Sequence, residues 1–261
     1  MPAKPLERPQ EPVPVRARWR VILDRGHLLD RLRSSRALVL WFLVVSAETS
    51  AQVSGSASLL SDYRYRGVSL SDGNPAAQFA LAYDGPSGWY AGGFASTVQL
   101  GYPTKRELQL VSFAGYASRM PSGLSWEAGA DYSYFTGGQN YNYGEVYVGI
   151  ASEKVSTRLY YAPRYFGQKS GVIYGEINAS QQLLDRVRLL AHGGVLLNND
   201  QDAYRRPTDR HVFDASVGVV IDFDQISAQL SWVGINSVYT PYPATSPSSK
   251  NGPVLILLWS F

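Results

Sequence analysis

Eleven ionisable side chains fall on the polar phase of segments that alternate apolar and polar residues: Asp62, Arg64, Arg66, Glu127, Asp131, Glu145, Arg158, Arg164, Glu176, Arg188 and His192. Guanidinium and carboxylate groups gathered on one face bind and steer polar or charged solutes, so these are candidate pore-lining residues. Turned towards lipid, each Arg would cost about 2–4 kcal/mol at the bilayer midplane. Their shared phase therefore points to an aqueous or hydrogen-bonded interior. The same residues could instead pair across a narrow lumen and close it. Asp62 and Arg64, two apart on one face, are natural partners. A largely closed structural or adhesive barrel is thus the alternative to a conducting one.

Other chemistries find less support. The chain has no cysteine and three histidines, His27, His192 and His211, without H-E-x-x-H spacing. No metal site, cofactor or disulfide framework is expected. No G-x-S-x-G is present, so a lipid-modifying enzyme would have to draw its base from His192 or His211. Glu127, Glu145 and Glu176 could be paired on paper for glycoside chemistry, but carboxylates line polar lumens generally. No catalytic residue is assigned.

The elements that must position these groups are strands. Ile226, Ala228, Leu230 and Trp232 alternate with Gln225, Ser227, Gln229 and Ser231. Phe213 to Asp222 and Val155 to Ala162 read the same way. A strand sends successive side chains to opposite faces, so each segment has one apolar and one polar side. Twelve such segments are expected, near 53–66, 75–84, 89–100, 106–118, 124–135, 141–152, 155–166, 171–181, 186–197, 210–222, 225–234 and 252–261. Tight connections such as Gly85-Pro86-Ser87-Gly88 and Glu153-Lys154 alternate with longer polar ones such as 198–209 and 235–251. That alternation predicts an all-β, up-and-down antiparallel transmembrane barrel. Tyr and Trp near segment ends, among them Tyr63, Trp89, Trp126, Tyr161, Trp232 and Trp259, match two interfacial girdles. A soluble β-sandwich would not need them there.

Residues 1–51 read as a basic leader and cleaved signal peptide, ahead of a barrel over 52–261. Nine basic residues precede the uncharged run Ala37–Val45, and small residues end at Ala51. The whole chain has a net charge of +3, but residues 52–261 hold 15 basic and 16 acidic residues. The basic excess belongs to the leader and gives no support to nucleic-acid binding. With both ends of the barrel in the periplasm, the first strand ascends. Arg64 and Arg66 are then expected near the outer mouth. Glu127, Asp131, Glu145 and Glu176 would form an acidic wall opposite, broken by Arg158. Such a transverse field would select small polar or charged solutes.

The most specific string is Ser61-Asp62-Tyr63-Arg64-Tyr65-Arg66-Gly67-Val68-Ser69, followed by Pro75-Ala76-Ala77-Gln78 and Gly88-Trp89-Tyr90-Ala91-Gly92. It resembles the opening hairpin of the TorF family of proteobacterial outer-membrane porins. Phe79 departs from the small residue expected after the Gln, which bears on lipid-face packing. The resemblance implies a Gram-negative outer-membrane location and passive transport. The C-terminal Phe261 resembles the signal read by the barrel-assembly machinery. The expected partners are that machinery, outer-membrane lipid and small polar solutes.

Overall fold

The computed structural model describes residues 52–100, 105–137, 139–168, 171–198, 211–236 and 251–261. The expected signal peptide lies outside the described residues, as does most of the 198–209 and 235–251 connections. In chain order the strands are β1 (Gln52–Leu60), β2 (Arg64–Tyr65), β3 (Val68–Ser69), β4 (Ala76–Asp84), β5 (Trp89–Leu100), β6 (Lys105–Arg119) and β7 (Ser125–Phe135). They continue with β8 (Tyr143–Ala151), β9 (Val155–Ala162), β10 (Val172–Leu184), β11 (Val187–Asn198), β12 (His211–Phe223), β13 (Ile226–Ile235) and β14 (Gly252–Ser260).

Twelve of them, all but β2 and β3, form one closed antiparallel barrel. β1 and β14 close the ring, with Ser56 opposite Ser260 and Leu60 opposite Ile256. Beyond the last strand, Phe261 and Gly55 exchange backbone hydrogen bonds of 2.9 and 3.0 Å. Closure leaves no strand edge, which is what a sheet in a non-hydrogen-bonding solvent requires. The Phe261 ring lies 4.8 Å from Trp259 and 6.2 Å from Phe79. Phe79 thus packs into an outward aromatic patch that secures the seam.

The period of two now has a physical meaning. The outward phase carries Val146 and Val148 on β8, Val217 and Val219 on β12, Leu230 and Trp232 on β13, and Leu255 and Leu257 on β14. Leu230 is 57% exposed and Val217 53%. Among the described strands, this phase carries a charged or imidazole side chain only at Arg106 and His211, both at strand ends. Trp89, Tyr116 and Trp126 meet edge-on or tilted, 5.3 and 5.8 Å apart, at the short-turn end. Tyr132, Tyr134, Tyr161 and Trp232 are exposed towards the other end. An apolar belt between two aromatic girdles is most stable in a bilayer.

A test follows from the two phases. Leu230→Arg should lower unfolding free energy by about 2–4 kcal/mol in lipid vesicles. Gln229→Arg, one residue away on the inward phase, should cost far less. Denaturant titration of both variants reads the difference, and equal losses would contradict the assigned faces.

Two segments end earlier than their alternation suggests. The first strand stops at Leu60 rather than continuing to 66. The ninth stops at Ala162 rather than 166. In both places the chain turns into the barrel, where the buried core lies.

Candidate functional site

The 61–75 connection enters the lumen from the long-loop end. Asp62 accepts hydrogen bonds from the hydroxyls of Ser69 and Ser71, at 2.5 and 3.0 Å, and pairs with Arg64. The Tyr63 amide donates to Ser71 Oγ at 2.9 Å, and the Leu70 amide to the Tyr63 carbonyl at 2.8 Å. β2 and β3 form a minimal hairpin, Arg64 opposite Ser69 and Tyr65 opposite Val68. Its two tip residues, Arg66 and Gly67, have φ of 48° and 79°. Two positive φ values make the tight turn that matches strand twist. A Cβ at Gly67 would also press on Asp214 and Ile235, so glycine lets the tip seat against β12 and β13.

This hairpin is packed, not loosely placed. Tyr63, Val68 and Leu70 have no exposed surface. Tyr63 meets Phe94 edge-on at 6.2 Å, and its hydroxyl donates to Gln109 at 3.0 Å. The Gln99 amide of β5 donates to the Leu70 carbonyl at 2.7 Å. A second inward piece follows β9. Tyr165 and Phe166 are buried there, and Tyr143 lies 4.9 and 4.8 Å from their rings. Arg164, expected in the lumen, instead sits exposed at the start of this turn. The chain spends its inward positions there on two aromatic rings, which bury more apolar area than an Arg stem.

Arg64 and Arg66 are therefore not on a barrel strand. Arg66 reaches the wall and donates to both oxygens of Glu145, at 3.0 and 2.8 Å. Its guanidinium lies 4.2 Å from the Tyr174 ring, 4.8 Å from Tyr65, 4.9 Å from Tyr160 and 5.2 Å from Tyr165. Lower in the lumen Arg158 pairs with Glu127, which also accepts from Tyr90 at 3.0 Å. Arg158 donates to the Tyr160 hydroxyl at 3.1 Å, and that hydroxyl to Glu176 at 3.4 Å. The expected field between a basic strand and an acidic wall is thus replaced by close pairs. Opposite charges within contact distance cancel most of each other's field.

His192 sits between Asp214, 2.7 Å from Nε2, and Asn178, 2.7 Å from Nδ1. The Tyr174 hydroxyl joins them, donating to Asp214 at 3.1 Å. Gly194 makes room for that hydroxyl, since any Cβ there would collide with it. Ser216 stands opposite His192 in the register. Both imidazole nitrogens thus have partners on neighbouring strands. Arg188 binds Asp222 at 2.7 and 2.9 Å near the short-turn end, with Ser227 also donating to Asp222. Among the described residues no group of three or more His, Asp or Glu is arranged to hold a metal ion.

Between the hairpin tip and the wall lies a small cavity of about 50 Å³, partly open to solvent. Asp131, Glu145, Glu176 and Asp214 line it, with Arg66 and Arg158. Of the eleven candidate residues, the structure gathers Arg64, Arg66, Asp131, Glu145, Arg158, Glu176 and His192 around this space. Asp62 and Glu127 lie just behind it, and Arg188 lies apart. The tyrosines Tyr65, Tyr143, Tyr147, Tyr160 and Tyr174 are buried in the lumen too, beyond the ionisable residues that alternation singles out. The signal was present, since Tyr143, Tyr147, Tyr160 and Tyr174 share phase with Glu145, Arg158 and Glu176.

A family model described as a bacterial protein of unknown function (Gcw_chp) matches residues 45–254. No curated protein sequence matches the chain. Among solved structures, the chain is similar to a KdgM porin in complex with disordered oligogalacturonate, at 11% identity and a TM-score of 0.49. That match covers 81% of this chain and 99% of the other. It is also similar to the NanC porin, at 9% identity and 0.48, covering 80% and 98%. A third is the outer membrane protein Omp33 of Acinetobacter baumannii, at 8% identity and 0.46, covering 82% and 99%.

Proposed function

The chain belongs to the Gcw_chp family, and from that premise we propose that it is an outer-membrane, porin-like barrel for passive diffusion of small polar or charged solutes. The passage is constricted by the hairpin of residues 61–75. The observation that carries this reading is the partition of charge. Carboxylates and guanidinium groups occupy the inward phase, while the outward phase is an apolar belt. The resemblance of the hairpin string to TorF porins supports it. In this reading the termini and short turns face the periplasm, and the hairpin narrows the lumen from outside. A barrel of twelve strands is small, so a packed segment in its lumen governs what passes.

Cation preference should follow the carboxylates that line the cavity, Asp131 and Glu176 among them. In planar bilayers under a salt gradient, Asp131→Asn with Glu176→Gln should move the reversal potential towards anion selectivity. An unchanged reversal potential in a conducting barrel would remove the charged-passage reading. One observation favours a second reading, a closed structural barrel that displays loops: Tyr63, Val68 and Leu70 have no exposed surface. Liposome swelling with glycine, glycerol and arabinose separates the two. Swelling with any of them supports diffusion, and none supports closure.

A further inference from the structure

We propose that Glu145, Tyr160, Tyr165 and Tyr174 form a binding site for a guanidinium-bearing solute, and that the chain's own Arg66 holds this site when the barrel is closed. The proposal deepens the porin reading above and rests on it for the consequence of binding. Glu145 offers both oxygens to one guanidinium, at 3.0 and 2.8 Å. Tyr174, Tyr160 and Tyr165 present rings 4.2, 4.9 and 5.2 Å from its carbon. A planar cation can donate along its edge and stack on its face at once, which a compact ammonium cannot.

The site and its occupant differ in how they are held. Glu145, Tyr160 and Tyr174 stand on β8, β9 and β10, three neighbouring strands of the barrel. Arg66 arrives on the tip of a hairpin whose strands are two residues each, outside the barrel sheet. Its φ of 48° is a conformation that a non-glycine residue adopts reluctantly. By contrast, Arg158 and Glu127 both stand on barrel strands, so no segment can carry either one away. The cavity beside the site is lined by Asp131, Glu176 and Asp214, together with Arg64, Arg158 and His192.

Exchange is the feature that selects the solute. Withdrawing Arg66 alone would leave Glu145 buried without its counter-ion, with the Tyr65 hydroxyl donating to it at 3.2 Å, which is strongly unfavourable for a charge. A solute guanidinium entering as Arg66 leaves keeps the carboxylate paired throughout. Neutral and anionic solutes cannot do this. As the tip lifts, Tyr65 leaves with it and the passage widens.

The test titrates methylguanidinium, with methylammonium as the comparison, into barrels purified in detergent from cells expressing the full chain. Calorimetry reads binding. Arg66→Gly empties the site and suits the positive φ at the tip. This variant should bind methylguanidinium saturably, at least about tenfold more tightly than the wild type, where Arg66 competes. Methylammonium should bind at least about tenfold more weakly. Adding Glu145→Gln to Arg66→Gly should abolish binding. Absence of saturable binding to a folded Arg66→Gly barrel overturns the proposal, as does equal affinity for the two cations. If Arg66→Gly does not fold, Arg66→Lys reads the same exchange. Methylguanidinium should displace its ammonium at a markedly lower concentration than it displaces the arginine, and equal concentrations overturn the proposal. Swelling with uncharged solutes reports separately on the porin reading, so either can fail without the other.

Discussion

Replacing residues 62–74 by a short Gly/Asn turn should raise single-channel conductance by about tenfold or more, since pore area in a twelve-stranded barrel is small to begin with. The geometry allows the replacement. Leu60 stands opposite Ala76 across the β1–β4 pair, so a turn of about two to four residues closes that hairpin. What is removed is Tyr63, Val68 and Leu70, all fully buried, together with Tyr65 and the Arg66 guanidinium. The barrel keeps its twelve-strand hydrogen bonding, because β2 and β3 pair only with each other. Stability should fall, as luminal apolar contacts are lost, but the barrel should still show heat-modifiable migration. A hairpin-free barrel that folds and conducts no more than the wild type would mean that residues 61–75 do not govern the passage.

The second large effect concerns Arg158 and Glu127. Glu127 is 1% exposed, and its carboxylate accepts from both Arg158 and Tyr90. Glu127→Ala leaves a buried guanidinium without its main counter-ion, and Arg158→Ala does the same to the carboxylate. Each should cost about 3–5 kcal/mol in denaturant unfolding, because the remaining charge is desolvated and uncompensated. The double replacement Glu127→Leu with Arg158→Met should cost far less than the sum, since it removes both charges and refills the space. Tyr90 keeps the Tyr147 hydroxyl at 2.9 Å as a partner in that variant. Additive losses would show that the two residues do not act as a pair. The contrast with Arg188 and Asp222 is informative. That pair is partly exposed, and its loss should be worth roughly 1 kcal/mol or less.

Most of the barrel was legible because a period of two is imposed by the solvent on either side. Ile226 to Trp232 and Phe213 to Ile221 must alternate, as one phase meets hydrocarbon and the other the lumen. The same logic failed at residues 62–66. Asp62, Arg64 and Arg66 alternate with Tyr63 and Tyr65, so the stretch looks like more of β1. Alternation reports that two faces differ and does not say what each face meets. Here one face holds the internal Asp62–Arg64 pair and the Arg66–Glu145 pair to the wall, and the other meets the Phe94 ring and the Tyr143 hydroxyl, both inside the barrel. Gly67 and the serines at 69 and 71 were the available signal, a turn residue followed by hydroxyls that satisfy Asp62 and Tyr63. Arg164 failed for a related reason. It continues the inward phase of β9 by count, but the chain has already turned at Pro163, and Tyr165 and Phe166 take the interior. The pairing of Arg66 with Glu145 spans 79 residues of sequence, and no local pattern encodes it.

The central claim is that apolar side chains face lipid while charged ones face the lumen. The chain contains no cysteine, so single-cysteine variants give unambiguous labels. Probes placed at Val217 and Leu230 should be quenched by brominated lipid acyl chains and ignored by aqueous iodide. Probes at the luminal positions Ser58 and Ser216 should ignore the lipid quencher. Lipid quenching at all four positions, or at neither Val217 nor Leu230, would contradict the account.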